Sequence, residues 1–190
     1  MVIDVQRDFC PGGALAVTGG DAVVPRLNQI IEAFDKSSLP IFFTRDWHPS
    51  NHISFEAQGG PWPKHCVQQT PGAEFHPGLK IPASAEIVSK GYNPSTEAYS
   101  GFQGTKLSQR LKKLGVGELF IGGLATDYCV RESALDALHA GLATNVLRDC
   151  VMAVDAKPGD GYKALVEMQK AGAILTTSTE VIKRMASTQQ

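Results

Sequence analysis

The chain reads as an α/β fold, a parallel sheet with helices on both faces. Short, continuous apolar runs alternate with stretches of helical period. That is the pattern of strands buried on both faces and joined by crossover helices. The side chains best suited to chemistry are Asp4, Asp46, His48, Lys90 and Cys129. Each lies just beyond such a run, Cys129 after a short loop. Those positions are the C-terminal strand ends, where open parallel sheets place their ligands.

Six runs rich in Ile, Leu, Val or Phe are expected strands: 2–5, 41–44, 86–89, 118–122, 143–147 and 174–176. The first helix is expected over 21–34, with Val23, Leu27, Ile30, Ile31 and Phe34 on one stripe and Pro25 in the tolerated first turn. A second is expected over 106–114, opened by Thr105 as N-cap and stopped by Gly115. Helices over 128–140 and 162–171 end at Gly141 and Gly172. A short last helix covers 179–185. The segment 48–79 breaks the alternation. It carries five prolines and four of the five histidines, and a long irregular stretch inside a compact domain is usually functional.

At 190 residues the chain is expected to be one domain, 1–190, burying roughly 70% of its unfolded surface. Hydrophobic residues make up 43% and charged residues 19%, ordinary for a soluble globular protein. A formal net charge of −1 argues against nucleic acid and anionic membranes as partners. No apolar stretch approaches the roughly 20 residues of a spanning helix. The chain opens directly into strand-like sequence, so no signal peptide is expected. Cys10, Cys66, Cys129 and Cys150 show no CxxC pairing. A leaderless chain of this kind is expected to be cytoplasmic, with reduced thiols. No surface stripe announces an interface, which leaves a homo-oligomer open.

Cys129 lies in G-G-L-A-T-D-Y-C-V-R, after a strand and in the expected first turn of a helix. The positive end of a helix favours thiolate over thiol, and its unpaired N–H groups can hold a developing oxyanion. The plainer role is a buried structural cysteine. Asp4 ends M-V-I-D, where an unpaired carboxylate is costly to desolvate. It can serve as base toward the thiol, or simply cap the following loop. Lys90 ends I-V-S-K and can hold Asp4 charged. Alone it would read as a solvated strand end. The three together point to a cysteine hydrolase.

Asp46-Trp47-His48 follows the second strand. The D-x-H spacing lets both side chains point the same way, and the pair suits a divalent metal. His52 and His65 are further candidate ligands. Phe9, Leu15, Trp62 and Tyr99 lie in the surrounding loops. They can form a slot for a flat ring or be ordinary loop packing.

These stretches resemble the nicotinamidase/pyrazinamidase branch of the isochorismatase-like cysteine hydrolases. The matching segments are D-V-Q-R-D-F-C-P-G-G-A-L-A-V, T-R-D-W-H-P, W-P-K-H-C-V-Q-Q-T-P-G-A-E-F-H-P, K-G-Y, A-Y-S-G-F and G-L-A-T-D-Y-C-V. The resemblance implies a three-layer α/β/α domain with a six-stranded parallel sheet in order 3-2-1-4-5-6. It implies Asp4, Lys90 and Cys129 as catalytic triad and Asp46, His48 and His65 as metal ligands. A cis bond is implied at Leu124–Ala125, with the N–H groups of Ala125 and Cys129 as oxyanion hole. Phe9, Trp62 and Tyr99 match ring-contacting positions. The implied reaction is hydrolysis of nicotinamide, and also of pyrazinamide, in NAD salvage. The implied cofactor is one divalent ion: zinc first, with iron or manganese as alternatives. Related hydrolases of carbamoyl amides are the competing reading, and they would need no metal. Two departures stand out. The histidine spacing after Asp46 leaves His52 doubtful as a ligand, and N-P-S-T-E before Tyr99 is expected to reshape one pocket wall.

Overall fold

In the computed structural model, which describes residues 1–188, six parallel strands form one sheet in the order β3-β2-β1-β4-β5-β6. The strands are β1 (Val2–Ile3), β2 (Phe42–Asp46), β3 (Glu86–Lys90), β4 (Glu118–Leu124), β5 (Ala143–Met152) and β6 (Ile174–Thr176). The helices are α1 (Val24–Lys36), α2 (Leu107–Lys113), α3 (Arg131–His139), α4 (Asp160–Lys170) and α5 (Ser178–Thr188). Strand order reverses between β1 and β4, as the resemblance implied.

Two apolar cores cover the two faces. One joins Leu27, Ile30 and Ile31 of α1 and Val181 of α5 to Phe43 and Leu147. The other joins Leu107 and Leu111 of α2, Ala134 and Ala137 of α3 and Met168 of α4 to Ile3, Phe42 and Ile121. Adjacent residues such as Phe42 and Phe43 point to opposite faces, so both must be apolar. That requirement produces the continuous hydrophobic runs. Fully burying each such side chain contributes about 1.5–3 kcal/mol. No described helix is long and apolar enough to cross a membrane.

Several boundaries differ from the sequence reading, each for a local reason. β1 stops at Ile3, short of the expected residue 5, because Asp4 turns out of the strand at φ 46°. β2 and β3 run on to Asp46 and Lys90 because those two residues are register partners. β4 and β5 also run longer than expected, to Leu124 and Met152, pairing past an irregularity between Ile121 and Gly123. The expected helix over 21–34 splits into a tight 3₁₀ turn, Gly20–Val23, and α1 with Pro25 in its first turn. The helix expected over 128–140 starts as a wider π-helical turn, Thr126–Val130, which runs straight into α3 at Arg131, so Cys129 does lie in the first helical turn. Thr105 accepts the N–H of Leu107 at 3.2 Å, in keeping with its expected capping role. Asp160, on the preceding loop side, starts α4 earlier than expected. Thr177 and Glu180 exchange hydrogen bonds in a capping box that opens α5.

Gly123 is required where β4 meets β1. Its φ is 126°, and a Cβ there would lie 2.1 Å from the Ile3 carbonyl oxygen. Neither strand can retreat without breaking the ladder. Gly123→Ala is therefore expected to destabilise the fold by about 3 kcal/mol or more, measured as a lowered urea midpoint with an unchanged slope.

Candidate active site

Asp4, Asp46 and Lys90 reach one point because three neighbouring strands end together. Parallel pairing sets Asp46 directly opposite Lys90. Lys90 Nζ donates to Asp46 Oδ1 at 2.6 Å and to the Ala98 carbonyl at 3.1 Å. It lies 2.9 Å from Asp4 Oδ2 and 3.4 Å from Cys129 Sγ. Lys90 and Asp4 are 0% exposed and Cys129 is 7% exposed. The left-handed turn at Asp4 swings its carboxylate toward this lysine, and Thr44 Oγ1 donates to Asp4 Oδ1 at 2.6 Å.

The charges divide unequally. Burial pushes the Asp46 carboxyl up, but the Lys90 cation and then His48 outweigh it and hold it well below the usual carboxylate range. Burial dominates at Asp4 and raises it, against Lys90 and the Thr44 hydroxyl. Lys90 stays protonated, its affinity for the proton raised despite burial by Asp4 and Asp46. Burial also pushes the Cys129 thiol well up, with Lys90 opposing and Asp4 reinforcing. Burial thus opposes the pull toward thiolate expected from the helix end and from Lys90.

The wide turn that carries Cys129 has its own geometry. The Ala125 carbonyl accepts the N–H groups of both Tyr128 and Val130, each at 3.1 Å. Cys129 sits between those two donors. The Leu124–Ala125 bond is cis, as the resemblance implied. Ala125 and Cys129 line the same pocket.

Asp46, His48 and His65 each offer a ligand atom, all within 4.8 Å of one another. His48 Nδ1 faces the Gly91 carbonyl at 2.9 Å, and His65 Nδ1 faces the Pro63 carbonyl at 2.8 Å. A carbonyl partner places the ring proton on Nδ1 and leaves Nε2 for a metal. Burial lowers His65 toward the neutral form that ligation needs. One carboxylate and two such imidazoles fit a divalent ion. His52 does not join them. Its Nδ1 meets Ser54 Oγ at 2.7 Å and its Nε2 meets the Thr96 carbonyl at 3.1 Å, so both nitrogens are used. It stacks beside His48, with ring centroids 4.1 Å apart.

One pocket is lined by Cys129 and by Asp46, His48 and His65, with Asp4 and Lys90 buried behind Cys129. Phe9, Leu15, Trp62 and Tyr99, all expected there, line it with Val17, Glu97, Leu124, Tyr128 and Val154. Trp62 Nε1 donates to the Tyr99 hydroxyl at 2.9 Å, and Trp62 meets Tyr128 edge-on with centroids 5.2 Å apart. Glu97 comes from the N-P-S-T-E segment, so that departure does reach the wall.

Sequence reading missed the supporting residues. Gln6 is fully buried; its Nε2 donates to the carbonyls of Asp46 and Ala73, and its Oε1 accepts the Asp46 N–H at 2.7 Å. Asp8 accepts the Cys66 N–H at 2.7 Å, tying the His65 loop to the loop of Phe9 and Leu15. Asp127 accepts the N–H groups of Val154 and Asp155, which fixes Val154 at the pocket. Gln6 and Asp8 stand in the D-V-Q-R-D-F opening and could have been singled out there. Thr44, at the end of an apolar strand, gave no such signal.

An α/β hydrolase site with a thiol, a buried lysine and a metal-type cluster on one sheet edge defines the class. The isochorismatase domain matches residues 1–180, and the chain belongs to that family. It is 40% identical to the nicotinamidase of Escherichia coli strain K12, covering 93% of both chains. It is 42% identical to the nicotinamidase/pyrazinamidase of Mycobacterium tuberculosis, over 94% of this chain and 98% of that one. Among solved structures it is similar to the pyrazinamidase of Pyrococcus horikoshii in complex with zinc, at 50% identity and a TM-score of 0.89, over 93% of this chain and 96% of that one.

His65→Ala is expected to abolish stoichiometric zinc binding, measured by elemental analysis of desalted protein. His52→Gln retains one equivalent, because that ring's nitrogens are already spent on Ser54 and Thr96.

Proposed function

We propose that the protein is a metal-dependent cysteine amidase that hydrolyses nicotinamide to nicotinate and ammonia in NAD salvage, and that it also accepts pyrazinamide. We read residues 1–190 as one catalytic domain that works in the cytoplasm. The observation that carries the proposal is the convergence of Asp4 and Cys129 on the Lys90 ammonium, with Cys129 opening onto an aromatic pocket that Asp46, His48 and His65 also line. The relatives named above support the substrate.

In this reading Asp4 takes the Cys129 proton as the sulfur attacks the carboxamide carbon. The N–H groups of Ala125 and Cys129 hold the oxyanion. Lys90 offsets the negative charge that moves between Asp4 and the sulfur. Protonated Asp4 gives its proton to the departing amine, ammonia leaves, and a thioester remains. Asp4 then deprotonates a water that attacks the thioester, and nicotinate leaves as Cys129 regains a proton. Phe9, Leu15, Trp62 and Tyr99 pack around the ring and exclude water. Asp46, His48 and His65 would hold the ion, which when bound would supply a Lewis-acidic anchor that orients the substrate ring. Zinc is the first candidate, with iron and manganese as alternatives.

The test is ammonia release from nicotinamide. Turnover that chelation removes and zinc restores is the expected result; turnover unaffected by complete metal removal would sink the metal-dependent reading. Cys129→Ala is expected to lower kcat by about four orders of magnitude or more while metal content stays the same. A second measurement addresses the base. The Thr44 hydroxyl favours charged Asp4, so Thr44→Val raises the Asp4 pKa further. Because the charged form is the base, the acid limb of the kcat/KM profile should move to higher pH. An unmoved limb would argue against Asp4 in that role.

A further inference from the structure

The pocket contains a second set of ligand-quality atoms. Asp4, Asp46 and Cys129 are all buried, and one ligand atom from each lies within 4.8 Å of the others. A tetrahedral ion with bonds of about 2.0–2.3 Å holds its ligand atoms about 3.3–3.8 Å apart, so modest contraction would close this set around a cation. It includes a cysteine sulfur, the donor that zinc and other borderline-soft ions favour over carboxylate. It also shares Asp46 with the set formed by Asp46, His48 and His65. The two sets are therefore adjacent, and an ion placed on one is a short step from the nucleophile.

Lys90 stands in the way. Its Nζ lies 2.6 Å from Asp46, 2.9 Å from Asp4 and 3.4 Å from Cys129, so the ammonium occupies the space that an ion bound by these three would need. One detail marks how far Asp4 depends on this cation. Asp4 Oδ2 is wholly buried, and among the described residues it is the single buried side-chain oxygen or nitrogen without a hydrogen bond of full directional geometry. The ammonium, 2.9 Å away, is what faces it.

We propose that the Lys90 ammonium is a resident cation that keeps a divalent ion out of the Asp4, Asp46 and Cys129 cluster, so that the metal stays on Asp46, His48 and His65 and the sulfur stays free. A bound ion on the sulfur would hold it as a metal thiolate and quench its attack on carbon. This role is separate from offsetting charge during the reaction. It rests on the reading that the neighbouring cluster is a metal site.

Removing the ammonium should turn the cluster into a second site. Wild type, Lys90→Ala and the better-filling Lys90→Gln are each loaded with excess Co²⁺, desalted and counted by elemental analysis. The thiolate-to-cobalt charge-transfer band is read on the same samples. Wild type is expected to hold one equivalent with no such band. Either Lys90 variant is expected to hold two equivalents and to show the band, and adding Cys129→Ser to that variant should remove the band. If the variants fold only when Co²⁺ is present, the ion has replaced the lysine and the proposal stands. Variants that stay unfolded with Co²⁺, or that hold a single equivalent without the band, overturn it. So does a thiolate band in wild type. These results leave the proposed function intact, whereas wild type that takes up no divalent ion overturns both.

Discussion

Taking an ammonium ion out of water costs several kcal/mol unless other groups replace the lost solvation, and Lys90 is wholly buried. It survives there because four acceptors surround it: two carboxylates, a carbonyl and a sulfur. The dependence runs both ways. Asp4 and Asp46 are two like charges at close quarters, and without a shared cation one of them would have to take up a proton. Once the lysine is present the pair divides. Lys90 and His48 hold the Asp46 carboxyl well below its usual range, while burial pushes the Asp4 carboxyl upward. Two acids that differ in environment can take different roles on the same edge.

The backbone delivers these groups by simple means. Parallel register between β2 and β3 sets Asp46 beside Lys90. A left-handed turn at Asp4 ends β1 and redirects its carboxylate. A wide first helical turn after β4, continuous with α3, brings Cys129 down onto the lysine. Around them Gln6 holds the Asp46 peptide from both sides, and Asp8 straps the His65 loop to the aromatic loop. The site is thus set on strand ends and buried hydrogen bonds, although most of its lining comes from irregular segments. Rigid support of this kind keeps reacting groups within the narrow tolerances that catalysis needs.

Much of this was legible in the chain. The continuous apolar runs revealed all six strands, since a strand covered on both faces has no polar side to show. Asp4, Asp46, His48, Lys90 and Cys129 were legible because each polar residue directly follows such a run or its loop. Strand ends were not. Asp4 left β1 early through a backbone rotation that no side-chain pattern encodes, and β5 ran to Met152 because β4 was there to pair with it. His52 could not be separated from His65 by spacing. Only the Ser54 and Thr96 partners, brought together by folding, show that its nitrogens are occupied.

The sequence by itself determined the α/β class, the edge of the sheet that would carry chemistry, and the chemical types gathered there. It could do so because hydrophobic period and residue chemistry are local properties of the chain. The tertiary structure alone decided which groups are charged. Burial raised the Cys129 thiol and the Asp4 carboxyl, Lys90 lowered the Asp46 carboxyl, and folding tied both His52 nitrogens to Ser54 and Thr96. Burial and the field of neighbouring charges fix protonation, and both are set by residues distant in sequence.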